Sequence, residues 1–348
     1  MPGRWALLVG SIVFSLCVLE LGLRVLRGPE WLMTAPNLVL EGRATTRLGG
    51  DGRVIPDASL GFVPRPGFSS AHVNYDGLGF RRTPTATTAM LAEPPILVVG
   101  DSFAHGDEVD DGEAWPALLQ PLVGRRVVNA AVSGYGLDQI VLRAESAAAA
   151  VKPAVLVLSF ISDDVRRAEM KRVWGIEKPY FALVDGELKE QNVPVPPSPM
   201  PAETLDLWQR LFGWSLLVET VMERLGWWYE WMIDYARALP PHQGETLACP
   251  LFQRLARLGL PTLVVAEYDP IVWRDPGSRQ ENRRISGAVL RCAAAAGLAT
   301  LDLFETMDRG VRQQGVQTLF RLAHPSPAGT ALAARRIAEE LKERHMPP

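Results

Sequence analysis

The segment "PILVVGDSFAHG" (Pro95–Gly106) decides the fold class of this 348-residue chain. Four consecutive apolar residues, Ile96 to Val99, are followed by a glycine, an acid and a serine. A short apolar run that ends in turn-forming residues is typical of a strand buried on both faces of a parallel sheet. The segment therefore predicts a buried strand whose last residues lead into a helix.

Strand and helix signals alternate along the rest of the chain. "RVVNAAV" and "PAVLVLSF" have the pattern of strands before an insertion, "PTLVVAEYD" and "LATLDLF" have it after the insertion, and amphipathic segments separate them. This alternation predicts a flavodoxin-like three-layer α/β/α fold with a central parallel sheet of about five strands. The predicted α/β domain covers residues 94–345, and its insertion covers residues 165–244.

The N-terminus has a different character. "WALLVGSIVFSLCVLELGL" (Trp5–Leu23) is apolar enough and long enough to cross a hydrocarbon core of about 30 Å as a helix. A cleaved signal peptide is the alternative, but no small-residue cleavage site follows and Arg24 and Arg27 close the run. We therefore predict a transmembrane anchor over residues 1–27 and a linker with short edge strands over residues 28–93.

The insertion contains two different segments. The first indicates a hairpin that turns at Asp185-Gly186 and continues into a proline-rich crossing. The second, residues 205–237, holds five of the ten tryptophans. These aromatic residues pack onto the domain as a helical cap, or they form a surface that meets the membrane interface or a ligand.

Composition excludes several classes of function. The net charge of -3 is spread along the chain and forms no basic stripe, so nucleic acid is not a predicted partner. The acidic run "GDEVDDGE" (106–113) is interpreted as the start of a helix rather than a cation site, and no metal is predicted. Cys249 and Cys292 pair in an oxidising compartment or remain buried thiols, two alternatives that the sequence leaves open.

Ser102 and His324 are the candidate reactive pair. Ser102 follows the first predicted strand, at the edge where open α/β sheets bind their ligands, and His324 precedes the last predicted helix. A neutral imidazole is a suitable base for a serine hydroxyl near pH 7. Each residue also has a structural interpretation, because serine and aspartate commonly cap helices and a histidine commonly lies at the surface.

Four segments of the chain resemble the motifs of the SGNH/GDSL hydrolases, in particular the bacterial membrane-anchored type. They are "GDSFAHG", "NAAVSGYGLDQ", "LSFISDDV" and "HPSPAG". The resemblance implies that Ser102 is the nucleophile and His324 the base. It also implies an oxyanion hole built from the backbone N–H groups of Ser102 and Gly134 and the side chain at position 163, with neither metal nor organic cofactor.

The residue at position 163 departs from that pattern. The family uses an asparagine amide there, whereas this chain has Asp163, and a carboxylate donates no hydrogen bond unless it is protonated. Asp163 is kept neutral by the like charge of Asp164, or it turns toward the arginines at 166–167. In the second case the donor role passes to Asn129, Ser162 or another N–H group.

The residue that should orient the histidine also departs. The family has an aspartate three residues before the histidine, where this chain has Arg321, which cannot accept a hydrogen bond from His324. A backbone carbonyl or a remote carboxylate such as Asp302 or Glu305 is expected to hold the imidazole, if any group does. Asp101, beside the serine, is a further candidate for orientation, and Arg321 a candidate for binding an anionic substrate.

The resemblance implies a membrane-anchored serine esterase or deacylase that acts on an O-acyl glycan or a lipid ester through a serine ester intermediate. An O-acyltransferase to a polysaccharide hydroxyl is one alternative. A catalytically impaired domain that binds glycan or acts as a scaffold is another, because of the two departures. The predicted location is the cytoplasmic membrane with the α/β domain outside the cytoplasm, and the oligomeric state stays open.

Overall fold

The computed structural model of the chain describes residues 2–28, 30–33, 36–45, 50–196 and 205–346. The chain divides into two compact units. The first unit takes its described residues from the ranges 1–48, 172–176 and 198–237. The second takes its described residues from 49–171, 177–197 and 238–348.

A five-stranded parallel sheet forms the centre of the second unit. Its strands are β1 (Ile96–Val99), β2 (Val127–Asn129), β3 (Val155–Phe160), β4 (Thr262–Ala266) and β5 (Ala299–Asp302). They lie in the order 2-1-3-4-5, which is the flavodoxin-like order, and every neighbouring pair is parallel. Every residue of β1, β3 and β4 is buried, which explains why these strands are continuous apolar runs in the sequence.

Six helices cover the two faces of the sheet. They are α1 (Trp115–Val123), α2 (Leu137–Val151), α3 (Gln243–Ala256), α4 (Pro276–Ala295), α5 (Phe304–Gln314) and α6 (Pro327–Glu343). The helices α1, α5 and α6 pack together in one layer, and α2, α3 and α4 pack together in the other. The predicted three-layer α/β/α architecture is therefore confirmed.

The order of the strands reverses between β1 and β3, so the loops that leave these two strands open a crevice at the carboxyl edge of the sheet. Gly100 follows β1 at this point. A Cβ atom on Gly100 would lie 3.0 Å from the carbonyl oxygen of Ser159 in β3. Glycine thus allows the close approach of the two chains directly before Ser102.

Short elements complete the description of residues 50–196 and 205–346. They are the strands Val54–Asp57, Gly61–Pro64, Met170–Val173, Ile176–Glu177, Tyr180–Val184, Glu187–Gln191, Ala236–Arg237, Phe320–Arg321 and His324–Pro325, the helices Thr88–Leu91, Ser102–His105, Ser162–Arg167, Leu207–Phe212, Leu216–Arg224, Trp228–Met232 and Val316–Leu319, and the 3-10 helix Pro270–Trp273. The predicted hairpin at Asp185-Gly186 is confirmed, since Val184 pairs with Glu187 and both turn residues have positive φ.

Most described residues of the first unit are helical, although residues 172–173, 176 and 236–237 belong to short strands. It contains the N-terminal helix Pro2–Arg27, the helices Glu30–Met33 and Leu38–Thr45, and the three helices between residues 207 and 232. Within the N-terminal helix, Arg4–Arg27 has a mean hydropathy of 2.3 over its most apolar window, and none of that window is buried. Its length and composition suffice to cross a membrane, a property that a signal sequence shares.

A disulfide joins Cys249 of α3 to Cys292 of α4. This resolves the alternative that the sequence left open. The bond connects two neighbouring helices of the same layer, and both of these helices also pack against the short helix Ser162–Arg167 that follows β3. Cys17 is a free cysteine of the N-terminal helix.

Candidate active site

Ser102 is the first residue of a short helix that begins where β1 ends. Asp101 caps this helix, because its carboxylate accepts a hydrogen bond from the Phe103 N–H at 3.0 Å. The N–H groups in the first turn of a helix have no partner within the helix, so the Ser102 N–H is one of these unpaired donors. The turn thus places a hydroxyl and an N–H donor together at the carboxyl edge of the sheet.

The structure brings His324 to the same edge. The distance from His324 Nε2 to Ser102 Oγ is 2.9 Å. His324 belongs to a two-residue strand that pairs with Phe320–Arg321 directly before α6, and its ring lies against that of Phe103, with 5.4 Å between the ring centroids. The two residues predicted to meet are therefore in hydrogen-bond contact.

The other nitrogen of the histidine contacts Glu108, with 2.9 Å between Nδ1 and Oε1. The expectation for this position was a backbone carbonyl or a carboxylate such as Asp302 or Glu305. Asp302 instead accepts the N–H of Phe304, and Glu305 pairs with an arginine of α4. Asp302 is the last residue of β5 and Glu305 follows that strand. Strand β5 lies three strand spacings from β1, or roughly 14 Å.

Glu108 lies in the acidic run at 106–113, which is the signal that sequence analysis interpreted as the start of a helix. The helix α1 begins at Trp115, and its first turn contains no acidic residue. Two acidic residues of the run make contacts within the loop region instead: Asp110 contacts His72 and Asp111 pairs with Arg81. The interpretation as a helix start was wrong for these residues.

Arg81 holds the loop that carries Glu108. Its side chain is fully buried. Within this loop its guanidinium donates to three backbone carbonyls, those of His105, Gly106 and Val109, and to the carboxylate of Asp111. These acceptors lie on both sides of Glu108 in the chain, so one rigid guanidinium fixes the conformation of the whole loop. Gly106 has a φ of 88°, and a Cβ there would lie 2.8 Å from the same guanidinium.

Asp107 connects this loop to the loop after β2. One carboxylate oxygen contacts His105 Nδ1 at 2.6 Å, and the other accepts a hydrogen bond from Ser133 Oγ at 2.5 Å. Burial alone would raise the pKa of Asp107, but the contact with His105 outweighs it and lowers that pKa. Ser133 directly precedes Gly134, which has a φ of 81°. The carboxylate therefore holds the residue that directly precedes Gly134, whose N–H is a predicted oxyanion donor.

The surroundings of His324 favour its charged form. Burial would lower the pKa of His324, but the hydrogen bond to Glu108 and the negative charges of Asp107 and Glu108 outweigh burial and raise that pKa above its ordinary value. An imidazole in this position accepts a proton more readily than a free histidine does. The neutral form, which can act as a base, prevails above the raised pKa.

Asp163 is an ionised carboxylate held between two arginines. Its oxygens lie 2.7 Å from Arg166 Nη2 and 2.7 Å from Arg167 Nη2. Burial would raise the pKa of Asp163, but the two guanidinium groups outweigh it and lower the pKa. The alternative of a side chain turned toward the arginines is confirmed, and a neutral Asp163 beside Asp164 is not supported. An ionised Asp163 donates no hydrogen bond, which corrects its place in the predicted oxyanion hole.

In contrast to Asp163, the neighbouring carboxyl groups of Asp164 and Asp101 have raised pKa values. Burial raises the pKa of both carboxyl groups, and in Asp164 the nearby charge of Asp101 raises it further. Arg167 Nη1 lies 2.5 Å from Asp164 Oδ1 and 3.8 Å from Asp101 Oδ2. Asp101 Oδ2 in turn lies 3.3 Å from Ser102 Oγ. The arginine therefore brings positive charge to the neighbourhood of the serine.

Two other predicted donors are occupied. Asn129 Nδ2 donates to the carbonyl of Ala104, and Asn129 Oδ1 accepts the N–H of Ala131, so this side chain fastens the end of β2 to the helix after β1. Ser162 Oγ donates to Asn282 Oδ1 at 2.5 Å. Of the predicted oxyanion donors, the backbone N–H groups of Ser102 and Gly134 remain.

A cavity of about 650 Å³ adjoins Glu108. Charged and hydroxyl side chains make up most of its lining: Asp51, Arg53, Ser70, His72, Asp107, Glu108, Asp110, Glu113 and Arg321, with Val73 and Val109. Several are already paired, as in the contact of 2.7 Å between Arg53 and Asp51. Arg321 donates to the backbone carbonyl of Glu108 at 3.3 Å, and its side chain is exposed.

Among the described residues, one group of potential metal ligands has its atoms within 4.8 Å of one another, namely His242, Glu245 and Glu281. Arg284 already pairs with both glutamates, at 2.6 Å and 2.7 Å. The group is therefore an ion-pair cluster of α3 and α4, remote in sequence from Ser102 and His324.

Comparison with known proteins gives a family and several solved structures. Residues 98–332 match the GDSL-like Lipase/Acylhydrolase family. The structure of TesA is similar at 21% identity and a TM-score of 0.41, over 73% of this chain and 98% of that chain. A catalytic mutant of Axe2, an acetylxylan esterase from Geobacillus stearothermophilus, is similar at 14% identity and a TM-score of 0.45, over 71% and 94%. The lipase/acylhydrolase from Enterococcus faecalis is similar at 15% identity and a TM-score of 0.41, over 72% and 96%. No curated protein matches the chain in sequence.

Proposed function

Because the chain belongs to the GDSL-like lipase/acylhydrolase family and is thus an ester-acting hydrolase, we propose that Ser102, His324 and Glu108 form its catalytic triad. The observation that carries this proposal is the continuous line of two contacts, each 2.9 Å long, from the serine hydroxyl through the imidazole to the carboxylate. This is the arrangement of nucleophile, base and orienting acid that activates a serine for acyl transfer.

In the proposed reaction, His324 Nε2 takes the proton of Ser102 while Oγ attacks the carbonyl carbon of the ester. Glu108 accepts the hydrogen bond from Nδ1, which selects the tautomer with a free lone pair on Nε2 and stabilises the imidazolium as it forms. The same imidazolium then protonates the departing alcohol. Water, activated by His324, hydrolyses the serine ester and regenerates the hydroxyl.

The negative charge that develops on the carbonyl oxygen needs donors. The proposal assigns this role to the N–H groups of Ser102 and Gly134, because the first is unpaired in its helix turn and the second follows Ser133, which Asp107 holds. We propose that Arg167 compensates electrostatically for the asparagine amide that the family carries at position 163. Its guanidinium offsets the charge of Asp163, which would otherwise oppose the oxyanion.

For the substrate we propose a short acyl ester of a polyhydroxylated alcohol, such as an O-acyl glycan. The cavity beside Glu108 supports this, because the carboxylates and guanidinium groups in its lining make hydrogen bonds to hydroxyl groups. The N-terminal helix is proposed as a membrane anchor that leaves the catalytic unit outside the cytoplasm. Transfer of the acyl group to a sugar hydroxyl is a second candidate function, which the same cavity favours.

The experiment uses the full-length protein in detergent. Hydrolysis of p-nitrophenyl acetate and labelling by a fluorophosphonate probe are measured for the natural protein, for Ser102→Ala and for Ser162→Ala, a control serine that follows β3. We expect Ser102→Ala to lose at least about 10⁴-fold in kcat and all labelling, and the control to keep both. Release of p-nitrophenol that needs an added oligosaccharide acceptor would identify the transferase. Buffer rates without labelling of the natural protein would favour the glycan-binding or scaffold function and overturn the proposal.

A further inference from the structure

The helix Leu207–Phe212 has its polarity reversed relative to a helix on a water-soluble surface. Leu207 and Trp208 are 65% and 62% exposed, whereas the polar side chain between Trp208 and Arg210, that of Gln209, is only 5% exposed. Leu211 and Phe212 are also exposed, and the ring of Phe212 stacks on that of Trp208. Because positions i, i+1, i+4 and i+5 lie on one side of a helix, the four apolar side chains form one face.

Specific contacts enforce this orientation. Gln209 Nε2 donates to the carbonyl of Trp231 at 2.9 Å, and its Oε1 accepts the N–H of Asp206 at 3.1 Å. The backbone carbonyl of Gln209 also accepts a hydrogen bond from Asn37 Nδ2. A rotation that buried Trp208 would break these contacts, so the exposed apolar face is a fixed feature of the first unit.

Further large apolar side chains between residues 214 and 227 are exposed as well. Together with the four residues above they form what we call the apolar surface: Leu207, Trp208, Leu211, Phe212, Trp214, Val221, Leu225 and Trp227. Three of the eight are tryptophans. Tryptophan is enriched where a membrane protein meets the headgroup region, since its ring is apolar and its N–H is polar.

The apolar surface is joined to the end of the N-terminal helix. Glu20 caps the helix Leu216–Arg224, because its carboxylate accepts hydrogen bonds from Ser215 Oγ and from the N–H groups of Leu216 and Leu217. One turn later, Arg24 donates to the carbonyl of Trp214 at 2.7 Å. These contacts hold Trp214 and the helix Leu216–Arg224 beside the residues with which the apolar span closes.

We propose that the apolar surface lies in the membrane interface, where it contacts lipid headgroups and the outermost acyl segments. The inference rests on the proposed membrane anchor, because the span brings the surface to the level of the headgroups. Helices with an apolar face lie in this region with that face buried about 5–10 Å below the headgroups. The first unit then combines one crossing helix with helices that lie along the bilayer.

The test places a fluorescent label in the full-length protein, reconstituted into vesicles of phosphatidylcholine and phosphatidylglycerol. Leu211→Cys in a Cys17→Ser background carries the label on the apolar surface. Lys342→Cys in the same background is the matched control, because Lys342 is an exposed residue between Leu341 and Glu343 of α6. Native Cys17 in the otherwise unchanged chain reports on the anchor, since it is a free cysteine of the apolar helix. Quenching by lipids with a spin label in the acyl chain is measured for all three.

We expect lipid quenching of the label at position 211 to be at least threefold that at position 342, with a shift of its emission to shorter wavelength. This result together with strong quenching at Cys17 supports the inference, whereas the same ratio without quenching at Cys17 would overturn the anchor on which the inference rests. Equal quenching at 211 and 342 with strong quenching at Cys17 would show that the apolar surface does not lie in the membrane interface, although the helix is a membrane anchor. Absence of quenching at all three positions would overturn the surface and the anchor together. Leu207→Cys repeats the measurement on the same face if the first variant does not fold.

Discussion

The loop after β1 and the loop after β3 leave neighbouring strands at the same edge of the sheet, but they carry different kinds of groups. The loop after β1 supplies a line of hydrogen bonds, in which Ser102 and Glu108 contact the two nitrogens of His324. The loop after β3 supplies a cluster of charges, in which Arg167 contacts Asp163 and Asp164.

This difference indicates that the two loops would contribute to a reaction in different ways. In the proposed line of hydrogen bonds, His324 takes a proton from Ser102 and later returns it to the leaving group while Glu108 orients the imidazole, so the function depends on the position of each atom. A cluster of paired charges moves no proton but sets the local potential, and its function depends on the net charge. Substitutions should therefore have steep effects in the first loop and shallow effects in the second.

After the loss of the nucleophile in Ser102→Ala, the largest effect is expected from Glu108→Gln. Glutamine presents the wrong donor or acceptor to His324 and does not stabilise the imidazolium, so we expect kcat for p-nitrophenyl acetate to fall about 10²-fold to 10³-fold with little change in KM. The control is Glu113→Gln, at a residue that lines the cavity beside Glu108, and its kcat should stay within twofold of the natural value. If the kcat of Glu108→Gln lies within threefold of the natural value, Glu108 is not a member of the proposed triad.

The pH dependence of kcat/KM also tests the loop after β1. Because the pKa of His324 is raised, kcat/KM should increase with pH through a midpoint above the ordinary histidine value of about 6.5. Loss of the Glu108 charge disfavours the imidazolium, so in Glu108→Gln the midpoint should move about one unit toward lower pH. A midpoint that does not move would show that another group controls the acidic limb.

Arg81→Lys tests whether the loop after β1 depends on its geometry. A lysine offers one compact ammonium in place of the planar group that reaches three carbonyls, so the loop loosens and kcat should fall about tenfold. The acidic midpoint should also move toward that of Glu108→Gln, an effect that general loss of stability would not produce. Arg82→Lys, at the exposed neighbouring position, is the control. A fall in melting temperature with an unchanged pH midpoint would limit Arg81 to a structural role.

Asp163→Asn should have the smallest effect, and in the opposite direction. It removes a negative charge from the loop after β3 and leaves the positive charge of Arg166 and Arg167, so kcat should increase about threefold. Arg166→Gln removes one partner of Asp163 and should lower kcat to a similar extent. Equal losses in both variants would mean that this cluster acts through its geometry, and the comparison of the two loops would fail.

Much of the fold followed from local patterns. Apolar runs such as Val155–Phe160 and the amphipathic segments between them predicted the strands, the helices and the three layers, because periodicity and burial are properties of neighbouring residues. The Asp185-Gly186 turn was predictable for the same reason. The orientation of Gln209 was not, since it depends on partners such as Asn37 and Trp231 that are distant in sequence.

The sequence by itself determined that Ser102 follows a buried strand and that His324 precedes the last helix, and the topology of such a sheet brings both to one edge. Only the tertiary structure decided which carboxylate holds the histidine, because the contact joins residues 216 positions apart. That contact depends on a loop whose conformation is set by the buried guanidinium of Arg81. The physical reason is that strands and helices are encoded by local periodicity, whereas the path of an irregular loop depends on groups that only packing brings to it.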